Sequence, residues 1–403
     1  MGENLNTDLE PREAAVVERA AAFARDVVVP RAAAWERFAG APAEVIKAAA
    51  EAGLCGLLAP RGLGGAGLGV PAMARVMEEL AWADFAVAFS LLVHNNLVGA
   101  ICREGTTLQV EHYVPELVSG ASVGAFLLTE PGAGTDAAAI ATQAKGATTG
   151  ETGWVLNGTK TWITNASVAN VLNVYAQTDP SRGSAGIASF IVESSDPGVA
   201  REDPYWLLGA HAMGTGGFRF TDCPLQSNRQ LSAPGRAFKA ALAGIDIARV
   251  MVSAMCAGML QRSLDLAVEH TTTRRAFGQA VSEFQGVQWQ LAEVATDLFA
   301  TRAMAYTAAR SLDRGDPGAT LQAAHAKKFA TRAALQGVSQ SMQALGARGL
   351  RQDLPLARHL AAAKTAQYLD GTTEVQNVVI SRALFAGRAA QQGSDKPSAF
   401  VLR

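Results

Sequence analysis

Two glycine-rich stretches could cradle a phosphate or a cofactor. Gly62, Gly64 and Gly67 have GxGxxG spacing, which binds a dinucleotide when a strand leads into it and a helix leaves it. An alanine-rich helical segment precedes it here, so it reads as a turn between helices. The second, Gly132-Ala133-Gly134-Thr135-Asp136, follows the apolar run Val123 to Leu128. Its small residues expose backbone N–H groups, and the hydroxyls of Thr129 and Thr135 can hydrogen-bond a cofactor. By itself the stretch also reads as a Pro-Gly turn between strands. Asp246 and Arg249 have i, i+3 spacing and could form a surface ion pair. Arg274 and Arg275 could be a solvated helix face, Trp162 a core aromatic, and Asp370 before Gly371 an Asx-turn aspartate.

Metal chemistry has little support. The six histidines and four cysteines are scattered, with no CxxC, so no metal ligands are assigned and a reduced setting is expected. Lys+Arg number 35 against 36 Asp+Glu, which lacks the basic excess of a general nucleic-acid binder. Residues Met1 to Glu10 are polar and lack a signal-peptide core. No uninterrupted apolar run approaches the roughly 20 residues of a membrane span. The expectation is a soluble, cytoplasmic protein without membrane insertion.

The elements around these residues change texture twice. Thr7 and Glu10 have capping-box spacing, and Val16, Ala20, Phe23 and Val27 mark a helix face that Pro30 should end. From Val123 to Cys223 the pattern is β-like, with Asn157-Gly158 as a hairpin signal between Trp154-Val155-Leu156 and Thr161-Trp162-Ile163-Thr164. These strands suit a small barrel or sandwich. From Pro234 onward the chain is helical again, with Leu291, Val294 and Leu298 on one face and a turn at Pro317-Gly318. The reading is an α+β protein: an N-terminal all-α domain over 1–122, a central β-barrel domain over 123–230, a C-terminal four-helix bundle over 231–390 and a tail over 391–403.

Five ordered motifs resemble those of the acyl-CoA dehydrogenases. Leu128-Thr129-Glu130-Pro131-Gly132-Ala133-Gly134-Thr135-Asp136 is similar to TEPGAGSD, and Asn157-Gly158-Thr159-Lys160-Thr161-Trp162-Ile163-Thr164-Asn165 to NGxKxWITN. Arg274-Arg275-Ala276-Phe277-Gly278 with Gln285 resembles RxxFGxxxxxxQ. Gln343-Ala344-Leu345-Gly346-Ala347-Arg348-Gly349 resembles QxxGGxG, and Asp370-Gly371-Thr372-Thr373-Glu374-Val375-Gln376 resembles EGTxxIQ. The family's order of α domain, β barrel and α bundle matches the textures above.

The resemblance implies FAD. It implies that Phe126, Leu128, Thr129, Gly134 and Thr135 lie along the flavin and that Trp162 and Thr164 flank its ring. Arg274 and Phe277 would reach the FAD of a neighbouring subunit, touched also by Gln343, Leu345, Gly346, Thr372 and Glu374. Shared sites imply a homotetramer or a homodimer. Thr135, Asp246, Arg249 and Gly371 are the implied substrate contacts. The implied reaction removes the α-proton of an acyl-CoA by a carboxylate while the β-hydrogen leaves as hydride to the flavin. Electrons pass onward to an electron-transfer flavoprotein or another acceptor. The catalytic position holds Asp370 where the family has glutamate, and Ala248 offers no substitute base. An oxidase, a dehydrogenase of carrier-protein thioesters, or an FAD-binding protein with impaired catalysis are the alternatives.

Overall fold

A computed structural model describes residues 9–37, 43–146 and 153–391. Thr7 and residues 392–403 of the expected tail lie outside them. Helices α1 (Pro11–Phe23), α2 (Val29–Trp35), α3 (Ala43–Glu51), α4 (Val70–Ala83), α5 (Phe85–Glu104) and α6 (Thr107–Val118) come first. Strands β1 (Gly124–Leu127), β2 (Gln143–Gly146), β3 (Gly153–Ile163), β4 (Val171–Gln177), β5 (Ile187–Glu193), β6 (Val199–Arg201), β7 (Gly216–Gln226) and β8 (Gln230–Ser232) follow. The C-terminal helices are α7 (Ala237–Thr273), α8 (Gln285–Arg314), α9 (Ala319–Ala344), α10 (Leu356–Ala366) and α11 (Thr373–Gln391), with a small hairpin of β9 (Arg275–Ala276) and β10 (Gln279–Ala280) after α7. The molecule is thus helical at both ends around a central β unit, as the sequence led us to expect.

Two local expectations are corrected. Pro30 does not end the first helix. A π turn over Ala24–Val28 joins α1 to α2, with the Val29 N–H bonded to the Ala24 carbonyl, and Pro30 falls in the first turn of α2. The wide turn re-registers the ladder so that a residue without an N–H costs little there. Upstream, α1 starts at Pro11 with Glu10 as its N-cap, and Glu13 reaches back to the Glu10 N–H at 3.1 Å.

Nor is Asn157-Gly158 a turn. Both residues lie inside the continuous strand β3, at an irregularity in its pairing with β7. Asn157 accepts from the Asp222 N–H at 2.8 Å and donates to its carboxylate at 3.1 Å. Gly158 leaves room for Thr142, whose Cα would lie 2.6 Å from an added Cβ. A cross-strand neighbour, not chain reversal, therefore explains the pair.

The strands form one sheet in the order β6-β7-β3-β2-β4-β5-β8, with β1 parallel on β4. Its core includes Leu156, Ile163, Leu172, Val174, Phe190 and Phe218. Helix α7 packs against α8, α9 and α4, so the N-terminal helices complete the bundle. Gly258 permits this crossing, because a Cβ there would run into the Glu78 carbonyl oxygen of α4. Where α4 also meets α8, Arg302 donates to the buried Glu78 carboxylate at 2.7 Å.

Helices α5 and α7 are long and apolar enough to cross a membrane by length and composition, yet their most apolar windows are 83% and 61% buried inside the molecule. The sequence had suggested no such segment, because Ser90, His94 and Asn95 interrupt α5. Those polar groups are bonded internally: Asn95 accepts from the Gly56 and Leu57 N–H groups at 2.6 Å, and His94 donates to Leu117 O at 3.0 Å. A helix apolar on nearly all sides is a core helix when such partners surround it.

Candidate active site

Asp370 sits in the short link between α10 and α11. Its φ is 51° and that of Gly371 is 93°, both left-handed. A non-glycine residue in this region is held there by its surroundings. Three side chains supply the hold. Arg249 of α7 donates through Nε to the Asp370 carbonyl at 3.0 Å. Lys327 of α9 donates to the carbonyls of Gln367 at 3.0 Å and Gly371 at 2.6 Å. Gln376 of α11 donates to Gly371 O at 3.0 Å. Gly371 has no space for a side chain, since a Cβ would lie 3.0 Å from Gln376 Nε2 and 3.1 Å from Val375 Cγ1.

The clamp grips the backbone and leaves the carboxyl free. Oδ2 of Asp370 is buried and has no hydrogen-bond partner. Burial pushes the Asp370 carboxyl up to about 6, against the opposing pull of the Lys327 and Arg249 charges. Burial likewise brings Lys327 down to about 8, with Asp370 acting the other way. Arg249 is also anchored by Asp246 at 2.8 Å, and Asp246 accepts from Thr320 at 2.6 Å. The pair is 9% and 7% exposed, so it is not a surface ion pair.

Asp370 and Phe126 line the same cleft between α5, α7, β1 and β4. Phe126 packs its ring 5.1 Å from Tyr175. Thr372 and Glu374 lie just beyond Asp370, at the start of α11: Thr372 Oγ1 accepts from the Val375 N–H at 3.4 Å, and Glu374 is exposed.

A second group surrounds the β2–β3 region. Lys160 is fully buried and donates to Glu130 at 2.7 Å and to the Leu128 carbonyl at 2.9 Å. Glu130 in turn accepts from the N–H groups of Ala141 at 2.6 Å and Thr142 at 3.0 Å. Burial alone would raise the Glu130 carboxyl, but Lys160 and these bonds outweigh it and leave it below the usual range. This pair pins both ends of the loop that exposes Gly134 and Thr135 and that begins at the buried Leu128. Thr129 accepts from the Thr161 N–H at 3.0 Å, which ties the loop to β3.

Just beyond, Trp162 has φ 61° and is 60% exposed, while Thr164 is buried. Its indole meets Tyr205 at 5.2 Å edge to face. Asn165 fixes the turn from the far side, donating to Ser90 O and Gly124 O at 3.0 Å each. An exposed large aromatic on left-handed backbone, on the strand that Thr129 ties to the open loop of Gly132 and Gly134, fits a planar ring cofactor such as FAD.

The remaining sequence candidates lie at another place, the far end of α7. Arg274 follows that helix, and Phe277-Gly278 form the tip of the β9–β10 hairpin with φ of 51° and 86°. Phe277 is 98% exposed. Leu345 is buried near Ala267 and Leu356, with Gln343 and Gly346 exposed beside it. Arg348 reaches His270 at 3.5 Å, which joins the two segments. Among the described residues, no hydrogen bond or ion pair joins this group to Asp370 or Trp162. Sequence reasoning quoted Lys160 and Glu130 inside motifs without giving them roles, and it missed Lys327. The signal for Lys327 was its register: Ala323, Ala326 and Ala330 at i−4, i−1 and i+3 are all buried.

Residues 10–121, 125–223 and 235–385 match the acyl-CoA dehydrogenase N-terminal, middle and C-terminal domains. The chain is 35% identical over 362 residues to the mitochondrial short-chain specific acyl-CoA dehydrogenase of Mus musculus, covering 89% of this chain and 86% of that protein. It superposes with a TM-score of 0.89 on butyryl-CoA dehydrogenase from Megasphaera elsdenii, at 32% identity, over 96% of this chain and 100% of that one. A chain from the structure described as "Electron transferring flavoprotein of Acidaminococcus fermentans" superposes with a TM-score of 0.89, at 34% identity, over 94% and 99%.

Proposed function

We propose, from the premise that this chain belongs to the acyl-CoA dehydrogenase family and is an FAD-dependent oxidoreductase acting on acyl-CoA, that Asp370 is the base that takes the α-proton of the bound thioester. The observation that carries this reading is the contrast within one residue. The Asp370 backbone is gripped by Arg249, with Lys327 and Gln376 on the next carbonyl, while its buried Oδ2 has no partner. A carboxyl pushed up to about 6 is still ionised at neutral pH yet basic enough to accept a proton in a transition state. An aspartate is one methylene shorter than glutamate, and the left-handed φ of Asp370 sets where its side chain emerges.

The other groups orient and exclude. Phe126, Leu128, Thr129, Gly134, Thr135, Trp162 and Thr164 hold the FAD ring, with Lys160 and Glu130 fixing the loop that presents them. FAD, when bound, supplies the two-electron acceptor that no side chain provides. The walls of α5 and α7 keep water from the reacting carbons. Thr135 and Gly371 bound the thioester end of the cleft. Asp246 and Arg249 act by holding the base loop, which their burial and bonds support better than direct substrate contact.

The exposed Phe277, Arg274, Gln343 and Gly346, with Leu345 beneath them and Thr372 and Glu374 at the start of α11, complete the cofactor site of a neighbouring copy, so that the working unit is a homotetramer or homodimer in the cytoplasm. The electron acceptor is an electron-transfer flavoprotein, a reading supported by the Acidaminococcus superposition. The test is anaerobic titration of the yellow holoenzyme with acyl-CoA. Bleaching is expected in the wild type and absent in Asp370→Asn with FAD still bound. Bleaching at the wild-type rate in that variant removes Asp370 from the mechanism.

A further inference from the structure

The backbone of Trp162 needs a partner that the sheet does not supply. Strands β3 and β7 pair Lys160 with Phe218 and next Ile163 with Gly216, so Thr161 and Trp162 fall in the gap. The Thr161 N–H goes to the Thr129 carbonyl at 3.0 Å. Trp162, at φ 61°, is out of line with the ladder, and an irregularity of this kind leaves its extra residue unpaired. Tyr205, in the loop between β6 and β7, serves it: the Tyr205 hydroxyl accepts from the Trp162 N–H. The same ring meets the Trp162 indole edge to face, 5.2 Å between centroids. Tyr205 thus holds Trp162 twice, by its backbone and by its indole.

The loop that carries Tyr205 is itself fixed. The Glu202 N–H donates to Gly217 O at 2.9 Å and the Tyr205 N–H to Thr215 O at 2.8 Å. Gly217 makes the room, since a Cβ there would lie 2.8 Å from Lys160 O and 3.2 Å from the Tyr205 hydroxyl. Farther along, the loop is latched to the N-terminal helices: the His211 N–H donates to the Glu36 carboxylate at 3.0 Å. Trp206, the next residue, packs instead on His211 at 5.4 Å and is 73% exposed. An indole free to change rotamer would lose that freedom when a ring binds against it, and one already fixed would not.

We propose that Tyr205 is a positioning residue of the cofactor site, fixing the Trp162 indole as the wall against which the FAD ring packs. The inference rests on the reading of Trp162 as a flank of that ring and is independent of Asp370.

The experiment dilutes purified holoenzyme and follows FAD release by the recovery of flavin fluorescence, together with the visible absorption band of the flavin still bound. Y205L should release FAD on the order of 10-fold faster than wild type and shift the band. Y205F keeps the ring and loses the hydroxyl, and should release FAD about 3-fold faster. W206A, in the same loop, should match wild type. Wild-type release and band in Y205L overturn the proposal, even with a lowered melting temperature, because Tyr205 would then be merely structural. W206A matching Y205L also overturns it, since the loop as a whole would be responsible. Where Y205L does not fold, Y205F decides, and release as slow as in wild type overturns the proposal. W162L separates the two readings. Faster release in W162L with wild-type release in Y205L defeats Tyr205 alone. Wild-type release in W162L removes Trp162 from the cofactor site, and the proposal with it.

Discussion

Two buried lysines do opposite work in this molecule. Lys160 meets the Glu130 carboxylate directly at 2.7 Å, and Glu130 is fully bonded and held ionised. Among the described residues Lys327 donates to carbonyl oxygens, and Oδ2 of the nearby Asp370 stays without a partner, its carboxyl pushed up to about 6. The first arrangement fixes a loop. The second fixes a backbone while sparing the acid–base group on it. The difference teaches that a buried lysine is not a single signal: what matters is whether its protons go to the carboxylate or around it. A salted-down carboxylate is a poor proton acceptor, so the spared one is the candidate base.

The contrast can be broken most sharply at Asp370. D370N should lower the anaerobic reduction rate on the order of 10³-fold, the range of a positioned general base, with visible-spectrum FAD content unchanged. A loss of FAD with the rate per bound flavin intact would make Asp370 structural, like Glu130.

Next comes K160M, which leaves the Glu130 carboxylate buried and unpaired. Breaking such a pair costs about 3–5 kcal/mol, read as a lower melting temperature and poorer FAD retention. The rate per bound flavin should hold, and a variant as stable as wild type would dissolve the contrast from the other side.

The Lys327 side predicts a smaller, pH-dependent effect. With Asp370 near 6, kcat/KM should rise with pH through that region as the base ionises. Lys327 pulls Asp370 down, so K327M should move this limb to higher pH, by about one unit for every 1.4 kcal/mol of lost charge interaction. K327R, which keeps the charge, should move it less. A K327M enzyme with an unmoved limb and only reduced stability would show that the lysine merely packs.

The smallest effect concerns His94, which ties α5 to β1. Its Nδ1 accepts from the Gly124 N–H at 3.1 Å, and burial holds the ring down at about 4. A histidine depressed on folding contributes stability above its unfolded value near 6.5, lost as pH falls through 4. The wild-type melting temperature should drop over that window, and H94Q should flatten the drop. An identical pH profile in H94Q would place the acid sensitivity elsewhere, with the buried His359, down at about 3, the next candidate.

Much of the fold was legible because its signals are local. The periodicity of Val16, Ala20 and Phe23 and the β-rich run from Val123 depend on neighbours a few residues away, and the five motifs lie along the chain in order. What misled were signals whose meaning depends on distant partners. Asn157-Gly158 satisfies hairpin chemistry, yet Asp222 and Thr142, far off in the chain, turn it into a strand irregularity. Pro30 is a helix breaker unless a π turn precedes it. Asp246 and Arg249 look like an exposed ion pair until the loop of Asp370 closes over the arginine.

By itself, then, the sequence determined the order of helical and β regions, the FAD motifs and the carboxylate at position 370. These follow from side-chain type and spacing, which chain connectivity preserves. Only the tertiary structure decided how that carboxylate is held, which lysine pairs and which spares, and that the Tyr205 ring meets Trp162. Hydrogen-bond partners and desolvation are set by atoms within a few ångströms in space. For Asp370 those atoms come from α7, α9 and α11, and no spacing along the chain records their meeting.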